Sequence, residues 1–254
     1  MTSSLLGWTM LQKRGEDEVL ESLQNDEVEL ILVQREFNSE ILTKIIDLAT
    51  QKGVPIEEGS ERDLWRMARP AKEGEPEHPR ILGLVGRKPH RENLDDLFAN
   101  SKLLWLLDGV SYATNLGFGI RTAEVSGADG VVLAPPEPMN HVEKRTMRKA
   151  SMKAIRFLPV IESTISEIIS TAKKYDFRII SAEDVGEIHP WESDMTGKVL
   201  LVVGAERHGI CDEIIEASDQ VIRLPMAGFV PSYNLQVALS ALAMEAMKQR
   251  KLGI

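Results

Sequence analysis

With 254 residues, 43% of them apolar and 27% charged, the chain has the balance of an ordinary globular protein with room for one or two cored domains. A formal net charge of −9 argues against bulk, non-specific nucleic-acid binding, and a single cysteine, Cys211, argues against a disulfide scaffold and for a reducing, cytoplasmic setting. No run of about 18 apolar residues marks a membrane span, residues 1–7 lack the basic start and apolar stretch of a signal peptide, and no metal is expected.

The first segment alternates helical and strand patterns. Residues 16–23 read as a short helix and 28–33 (VELILV) as a buried strand. Residues 39–51 place Ile41, Leu42, Ile45, Ile46 and Leu48 at helical spacing, and Lys52-Gly53 closes that helix. A short strand at 54–56, a helix at 61–69 stopped by Pro70, a charged and mobile loop at 71–79 and a strand at 81–85 complete an α/β domain over 1–86. Residues 87–100 read as a linker with a short acidic helix. Charge divides unevenly: residues 1–97 carry 13 Lys+Arg against 20 Asp+Glu, whereas 98–254 carry 17 against 19.

The second domain, 101–254, opens on the apolar run 103–107, typical of a strand covered on both faces. Strand candidates follow at 130–133, 157–160, 178–181, 199–203 and 220–224, with helical stretches between them. That alternation predicts a largely parallel sheet. Three polar, glycine-bearing or serine-bearing segments sit at strand ends, where open α/β sheets bind ligands. The first, 115–121, holds Asn115, Gly117, Gly119 and Arg121, and is read as a loop leading into a helix over 120–126. The second, 204–209, holds Gly204, Ala205, Glu206, His208 and Gly209, with Glu206 able to accept loop N–H groups or meet a cation. The third follows Leu224-Pro225-Met226 and reads Ser232-Tyr233-Asn234-Leu235, with Ser232 as N-cap of a final helix carrying Leu235, Leu239, Leu242 and Met247 near one face. Gly117-x-Gly119 with Glu137 twenty residues on also imitates a dinucleotide fingerprint, although Thr122 occupies the place of the third glycine. A nicotinamide-dependent enzyme is therefore a rival reading.

Together the three segments resemble the SpoU (TrmH) branch of the SPOUT methyltransferases. Asn115, Gly117 and Arg121 match its N-x-G-x-x-x-R motif. Gly204-Ala205-Glu206-x-x-Gly209 is similar to its second motif, and Pro225-Met226 with Ser232-Tyr233-Asn234-Leu235 to its third, 26 residues beyond Glu206. The resemblance covers about 101–250. It implies methylation of a ribose 2′-oxygen in RNA, S-adenosyl-L-methionine as cofactor, a trefoil knot at the carboxyl end, and a homodimer whose active site uses both subunits. It makes Arg121, Asn115, Glu206, Ser232 and Asn234 the catalytic candidates. Cofactor contacts are expected from Val203, Gly204, Ala205, Gly209, Leu224, Met226, Ser232, Tyr233, Asn234 and Leu235. Residues 10–86 are similar to the RNA-binding domain many members carry, which favours ribosomal RNA over tRNA as substrate. Tyr233 and Gln236 depart from the usual third motif, which raises a second alternative: an RNA-binding homologue that is inactive or holds cofactor weakly.

A basic stretch at 141–156 is the candidate RNA face. If one helix runs throughout, Arg145, Arg148, Lys149, Lys153 and Arg156 share a side of it. A solvated surface helix explains the same residues.

Overall fold

A computed structural model describes residues 11–229 and 232–252. The start of the chain, 1–7, lies outside them. The structure divides into two compact units, 1–89 and 90–254.

The first unit holds strands β1 (Gln12–Arg14), β2 (Val28–Gln34), β3 (Ile56–Gly59) and β4 (Ile81–Val85), in the order β1-β4-β2-β3. Helices α1 (Glu16–Gln24), α2 (Glu40–Lys52) and α3 (Glu61–Met67) pack with them. The apolar run of β2 is buried, and Val19, Leu23, Leu42, Ile45 and Ile81 close the core around Ile31. Ser39 starts α2 by accepting from Leu42 N at 2.8 Å, and Gly53 ends it with φ of 67°. The charged loop expected to be mobile is instead clasped. Glu75 accepts from Arg69 at 2.7 Å and from the buried Arg14 at 3.0 Å. Arg14 lies on β1, whose polar sequence gives no strand signal and which forms by antiparallel pairing to β4.

The second unit contains α4 (Leu94–Ala99), β5 (Leu103–Asp108), α5 (Ala113–Val125), β6 (Gly130–Ala134), α6 (His141–Ala150), β7 (Val160–Glu162), α7 (Ile165–Lys174) and β8 (Arg178–Ala182). It continues with β9 (Val199–Val203), α8 (Asp212–Ala217), β10 (Gln220–Ile222) and α9 (Leu235–Leu252). The segment read as a linker is divided: the boundary falls after residue 89, and Leu97 and Phe98 of α4 are buried in the second unit.

Six strands pair in parallel in the order β10-β8-β9-β5-β6-β7. Side chains alternate across the sheet. Trp105, Leu107, Val131, Leu201 and Val203 meet α5 and α9 on one face, while Leu104, Leu106, Val132, Leu200 and Val202 meet α4, α7 and α8 on the other. Helices on both faces explain why the strands read as unbroken apolar runs. From β5 the chain steps outward through β6 and β7, then crosses to β8, so the loops leaving the neighbours β5 and β9 head in opposite directions. That reversal opens a crevice at the carboxyl ends of those two strands.

The strand read at 54–56 forms at β3, the helix at 61–69 ends at Met67 and the strand at 220–224 ends at Ile222; three further differences have a physical cause. The strand expected at 157–160 forms at β7, because Pro159 has no N–H to give a ladder and offers only its carbonyl, to Val131 N at 2.9 Å. The first motif is not a loop, since α5 already begins at Ala113. The final helix is capped by Asn234, whose Oδ1 accepts from Gln236 N at 3.0 Å, and not by Ser232. The core-facing side of α9 consists of Leu235, Leu239, Leu242, Ala243 and Ala246, with Met247 half-buried beside it. Near its end, buried Gln249 accepts from Met195 N at 2.7 Å and donates to Ser193 O at 3.0 Å, while Arg250 donates to Gly197 O at 2.7 Å and Lys102 O at 3.3 Å.

Candidate active site

The crevice between the β5 and β9 loops is a cleft of about 370 Å³, lined by Asp108, Gly109, Val110, Ser111, Tyr112, Asn115, Pro136, the 205–209 turn, Cys211 and Leu235. Its β9 side is a tight turn. Ala205 and Gly209 exchange both backbone hydrogen bonds, at 2.9 and 3.1 Å. Gly204 is required beneath it, because a Cβ there would lie 2.1 Å from the Gly209 carbonyl carbon, and Gly209 itself has φ of +64°. The strands on either side of β9 hold the turn's exit. Asp108, ending β5, accepts from Cys211 N at 2.7 Å, and Glu183, just past β8, accepts from Ile210 N at 3.0 Å. Burial, reinforced by the Asp108 charge, pushes the Cys211 thiol up to about 11.

Within this frame the three motifs meet on one carboxylate. Glu206 Oε1 accepts from Asn115 Nδ2 and from Asn234 Nδ2, each at 3.1 Å. Gln236 Nε2 donates to Asn115 Oδ1 at 3.4 Å, and its backbone N–H donates to Asn234 Oδ1 at 3.0 Å, closing a ring of four polar residues. Tyr233 donates its hydroxyl to Pro225 O at 2.8 Å, bracing the segment between β10 and α9. The two departures from the usual third motif, Tyr233 and Gln236, are thus built into the scaffold of the site.

Other candidates stand apart. Arg121 is exposed, six residues beyond Asn115 on α5, which is about 9 Å along the axis and on a different side of the helix. It pairs with no carboxylate among the described residues. Ser232 is exposed and takes no hydrogen bond among the described residues. Val203 and Leu235 are buried, Leu224 is half-buried, and Met226 and Tyr233 are exposed.

Gly117 and Gly119 lie inside α5, which removes the dinucleotide-fingerprint rival. A Cβ on Gly117 would sit 2.5 Å from both Met147 O and the Ala150 Cβ, and one on Gly119 would sit 3.0 Å from Leu107. These glycines let α6 and the sheet approach α5, so they leave no space for a pyrophosphate. The basic stretch also changes shape. α6 ends at Ala150, and Met152 and Lys153 have φ of 50° and 74° before a 3-10 turn over Ala154–Arg156. Arg145, Arg148 and Lys149 remain exposed on α6, whereas Lys153 and Arg156 leave its face and are half-buried.

Sequence reasoning did not single out Asp108, Glu183, Tyr112 or Pro136. Asp108 carried a signal, a carboxylate closing an otherwise apolar strand; the others carried none.

A profile described as the SpoU rRNA Methylase family matches residues 102–244. The chain belongs to the SpoU rRNA methylase family. Among curated proteins it is 32% identical to the 23S rRNA (guanosine-2′-O-)-methyltransferase RlmB of Pseudomonas syringae pv. tomato, over 62% of this chain and 64% of that protein. It is 31% identical to the protein of the same name from Escherichia coli K12, over 68% of this chain and 72% of that one. Among solved structures it superposes on the SpoU methyltransferase AviRb from Streptomyces viridochromogenes in complex with the cofactor AdoMet. That match has a TM-score of 0.58 and 21% identity, covering 94% of this chain and 89% of that one, and it shows a shared SpoU fold. No helix among the described residues is long and apolar enough to cross a membrane, and no group of three or more His, Cys, Asp or Glu among them could hold a metal ion.

Proposed function

We propose that this chain transfers a methyl group from S-adenosyl-L-methionine to a ribose 2′-oxygen of structured RNA, with ribosomal RNA as the substrate class. The observation that carries this reading is the meeting of Asn115 and Asn234 on Glu206 at the edge of the cleft. Family membership and the ribosomal substrates named for the curated relatives support the reaction and the choice of RNA.

The residues present fit the cofactor. Among the described residues, the N–H groups of Leu224, Met226, Ala227 and Gly228 donate to no acceptor, beside the apolar side chains of Leu224 and Met226. Such a segment suits a planar base held by backbone groups, with Val203, Gly204, Ala205, Gly209, Ser232, Tyr233, Asn234 and Leu235 completing the cofactor wall. When bound, S-adenosyl-L-methionine supplies an electrophilic methyl on a sulfonium.

The protein's part is to hold the nucleophile. Asn115 and Asn234 orient the ribose, Glu206 fixes both amides, and Ser232 contacts substrate. Arg121 grips a phosphate through its guanidinium fork and stabilises charge growing on the 2′-oxygen instead of acting as a base. Positioning contributes much of the rate.

The family's homodimer, with an active site drawn from both subunits, is part of the proposal. It is supported by the distance of Arg121 from the polar ring of its own chain. The trefoil knot is supported by the anchoring of Gln249 and Arg250 to the segment between β8 and β9. The first unit is assigned to RNA binding, with Arg145, Arg148, Lys149, Lys153 and Arg156 as a further RNA contact, and the protein to the cytoplasm.

The test is transfer of labelled methyl to separate pools of unmodified ribosomal RNA and tRNA, with Arg121→Ala alongside. Label in the ribosomal pool, lost in the variant while cofactor binding persists, is the expected result. Full turnover by Arg121→Ala would overturn its assignment. Cofactor binding without label in either pool would favour an inactive RNA-binding homologue.

A further inference from the structure

One side chain at the cleft has no task in the ring described above. Tyr112 precedes α5, is 54% exposed and lines the same cleft as the 205–209 turn, together with Pro136 from the loop after β6. Its hydroxyl has no hydrogen-bond partner and its ring stacks on no other ring among the described residues. A large aromatic held in the open beside a pocket is surface that the fold leaves uncovered.

The chemistry around it specifies an occupant. A cleft of about 370 Å³ takes a group of small-molecule size, and not a helix or a strand of protein; with Ala205, Gly209 and Leu235 assigned to the cofactor wall, the side lined by Tyr112 and Pro136 is the part left for a nucleotide. The edge offers an acceptor: Glu206, exposed, uses Oε1 for both amides, and its Oε2 takes no donor among the described residues. The rim offers donors: Arg207 and His208 are exposed and pair with no carboxylate among the described residues. A free carboxylate oxygen suits ribose hydroxyls and base N–H groups, and the Arg207 guanidinium beside it suits phosphate. An open aromatic face beside a proline suits the flat face of a base. Sequence-tolerant recognition of unpaired RNA rests on such stacking.

We propose that the cleft takes a single unstacked nucleotide of RNA with its base lying on the ring of Tyr112 against Pro136. The ribose faces Asn115 and Glu206, and the flanking phosphate faces Arg207 and His208. This rests on the methyltransferase reading for what happens to the nucleotide next, but the stacking is independent of turnover. Tyr112 is a binding residue here and takes no part in the transfer itself. An RNA whose target nucleotide stays paired is excluded, because a base inside a duplex has no free face to offer the ring.

The experiment uses the full chain and a short single-stranded RNA carrying one central 2-aminopurine, whose fluorescence is quenched by stacking on an aromatic ring. The wild type is expected to quench it. Tyr112→Leu is expected to lose the quench and weaken binding by roughly 5- to 150-fold, and Tyr112→Phe to keep both. Tm and S-adenosyl-L-methionine affinity are measured on each variant, and both should stay at wild-type values, separating loss of stacking from loss of fold. Unchanged quench and affinity in Tyr112→Leu would overturn the proposal. The same variants are then assayed for methyl transfer. If the wild type methylates ribosomal RNA and Tyr112→Leu does so with an unchanged KM, the stacking proposal falls and the enzyme reading stands. If the wild type transfers nothing but the quench still depends on the ring, the nucleotide site stands and the enzyme reading falls.

Discussion

Asn115 and Asn234 donate to the same oxygen, Glu206 Oε1, each from 3.1 Å. One residue comes from the start of α5 and the other caps α9, so a single carboxylate sets the separation of two elements that are distant in the chain. Removing it should separate geometry from composition. Glu206→Ala leaves both amides without their acceptor and is expected to lower kcat about 100-fold, the scale of an ångström-sized misplacement. Glu206→Gln keeps a carbonyl oxygen in the same place and is expected to keep most of the activity. Single-turnover transfer measures both, and a fully active Glu206→Ala would remove the ring from the mechanism.

The glycines of the first motif are packing residues, which makes Gly117→Ala informative. Alanine gains about 1 kcal/mol of helix propensity over glycine. Here the new methyl would sit 2.5 Å from the carbonyl of Met147, a backbone atom that cannot swing aside. Overpacking of that kind costs about 1–3 kcal/mol, so a net loss and a Tm lower by a few degrees are expected. Gly119→Ala meets only the tips of Leu107 and Leu239 and should cost less. Thermal melts giving the opposite order would refute this account of the two glycines.

Arg148 and Lys149 stay on the exposed side of α6 after the helix ends. Reversing both to Glu should weaken RNA binding and flatten the dependence of log K on log salt by about one unit per lost phosphate contact. Calorimetry with S-adenosyl-L-methionine should be unaffected. Identical RNA affinity in the variant would leave α6 as a solvated surface helix.

In the first unit, hydrogen bonds from Arg69, the Lys72 backbone and Arg14 hold the Glu75 carboxyl down at about 2. A depressed carboxylate stabilises the fold above its unfolded value, near 4.5, and that contribution disappears as the pH falls toward 2. Glu75→Gln should therefore melt earlier than the wild type at pH 7, with the gap closing as the pH is lowered through that window. A gap of constant size from pH 7 to pH 2.5 would mean that the charge of Glu75 does not hold the loop.

Cys211 offers a simple chemical probe. With its thiol pushed up to about 11, almost none is thiolate near neutrality. Alkylation of the native protein at pH 7.5 should be much slower than in urea, and should accelerate up to pH 10. Fast native labelling at pH 7.5 would contradict the burial that raises it.

The three residues that meet on one carboxylate were legible in order, Asn115, then Glu206, then Asn234, each in a polar segment that follows a strand. The strands were legible for the same reason, since a sheet covered on both faces writes itself as unbroken Val and Leu. The errors share a cause. Gly117 and Gly119 look like turn residues, yet they are glycines because α6 lies against them, and a periodicity carries no information about a partner helix. Lys153 continues a helical pattern of charges, yet the backbone turns left-handed at Met152 and Lys153 with no glycine to signal it. β1 is polar because it is an edge strand whose Arg14 is buried by Glu75, a pairing made across the first unit. Tyr112 gave no signal at all, since an exposed aromatic is recognisable only beside the hollow it borders.

The anchoring of α9 by Gln249 and Arg250 has a consequence for how the protein is made. The amide of Asn234 reaches Glu206 only once that helix lies against the sheet, and its far end is fastened by hydrogen bonds to Met195, Ser193, Gly197 and Lys102. Translation must therefore pass residue 249 before the ring can close. A ribosome that stops earlier releases strands, sheet and cleft floor without the fastened helix that completes the ring.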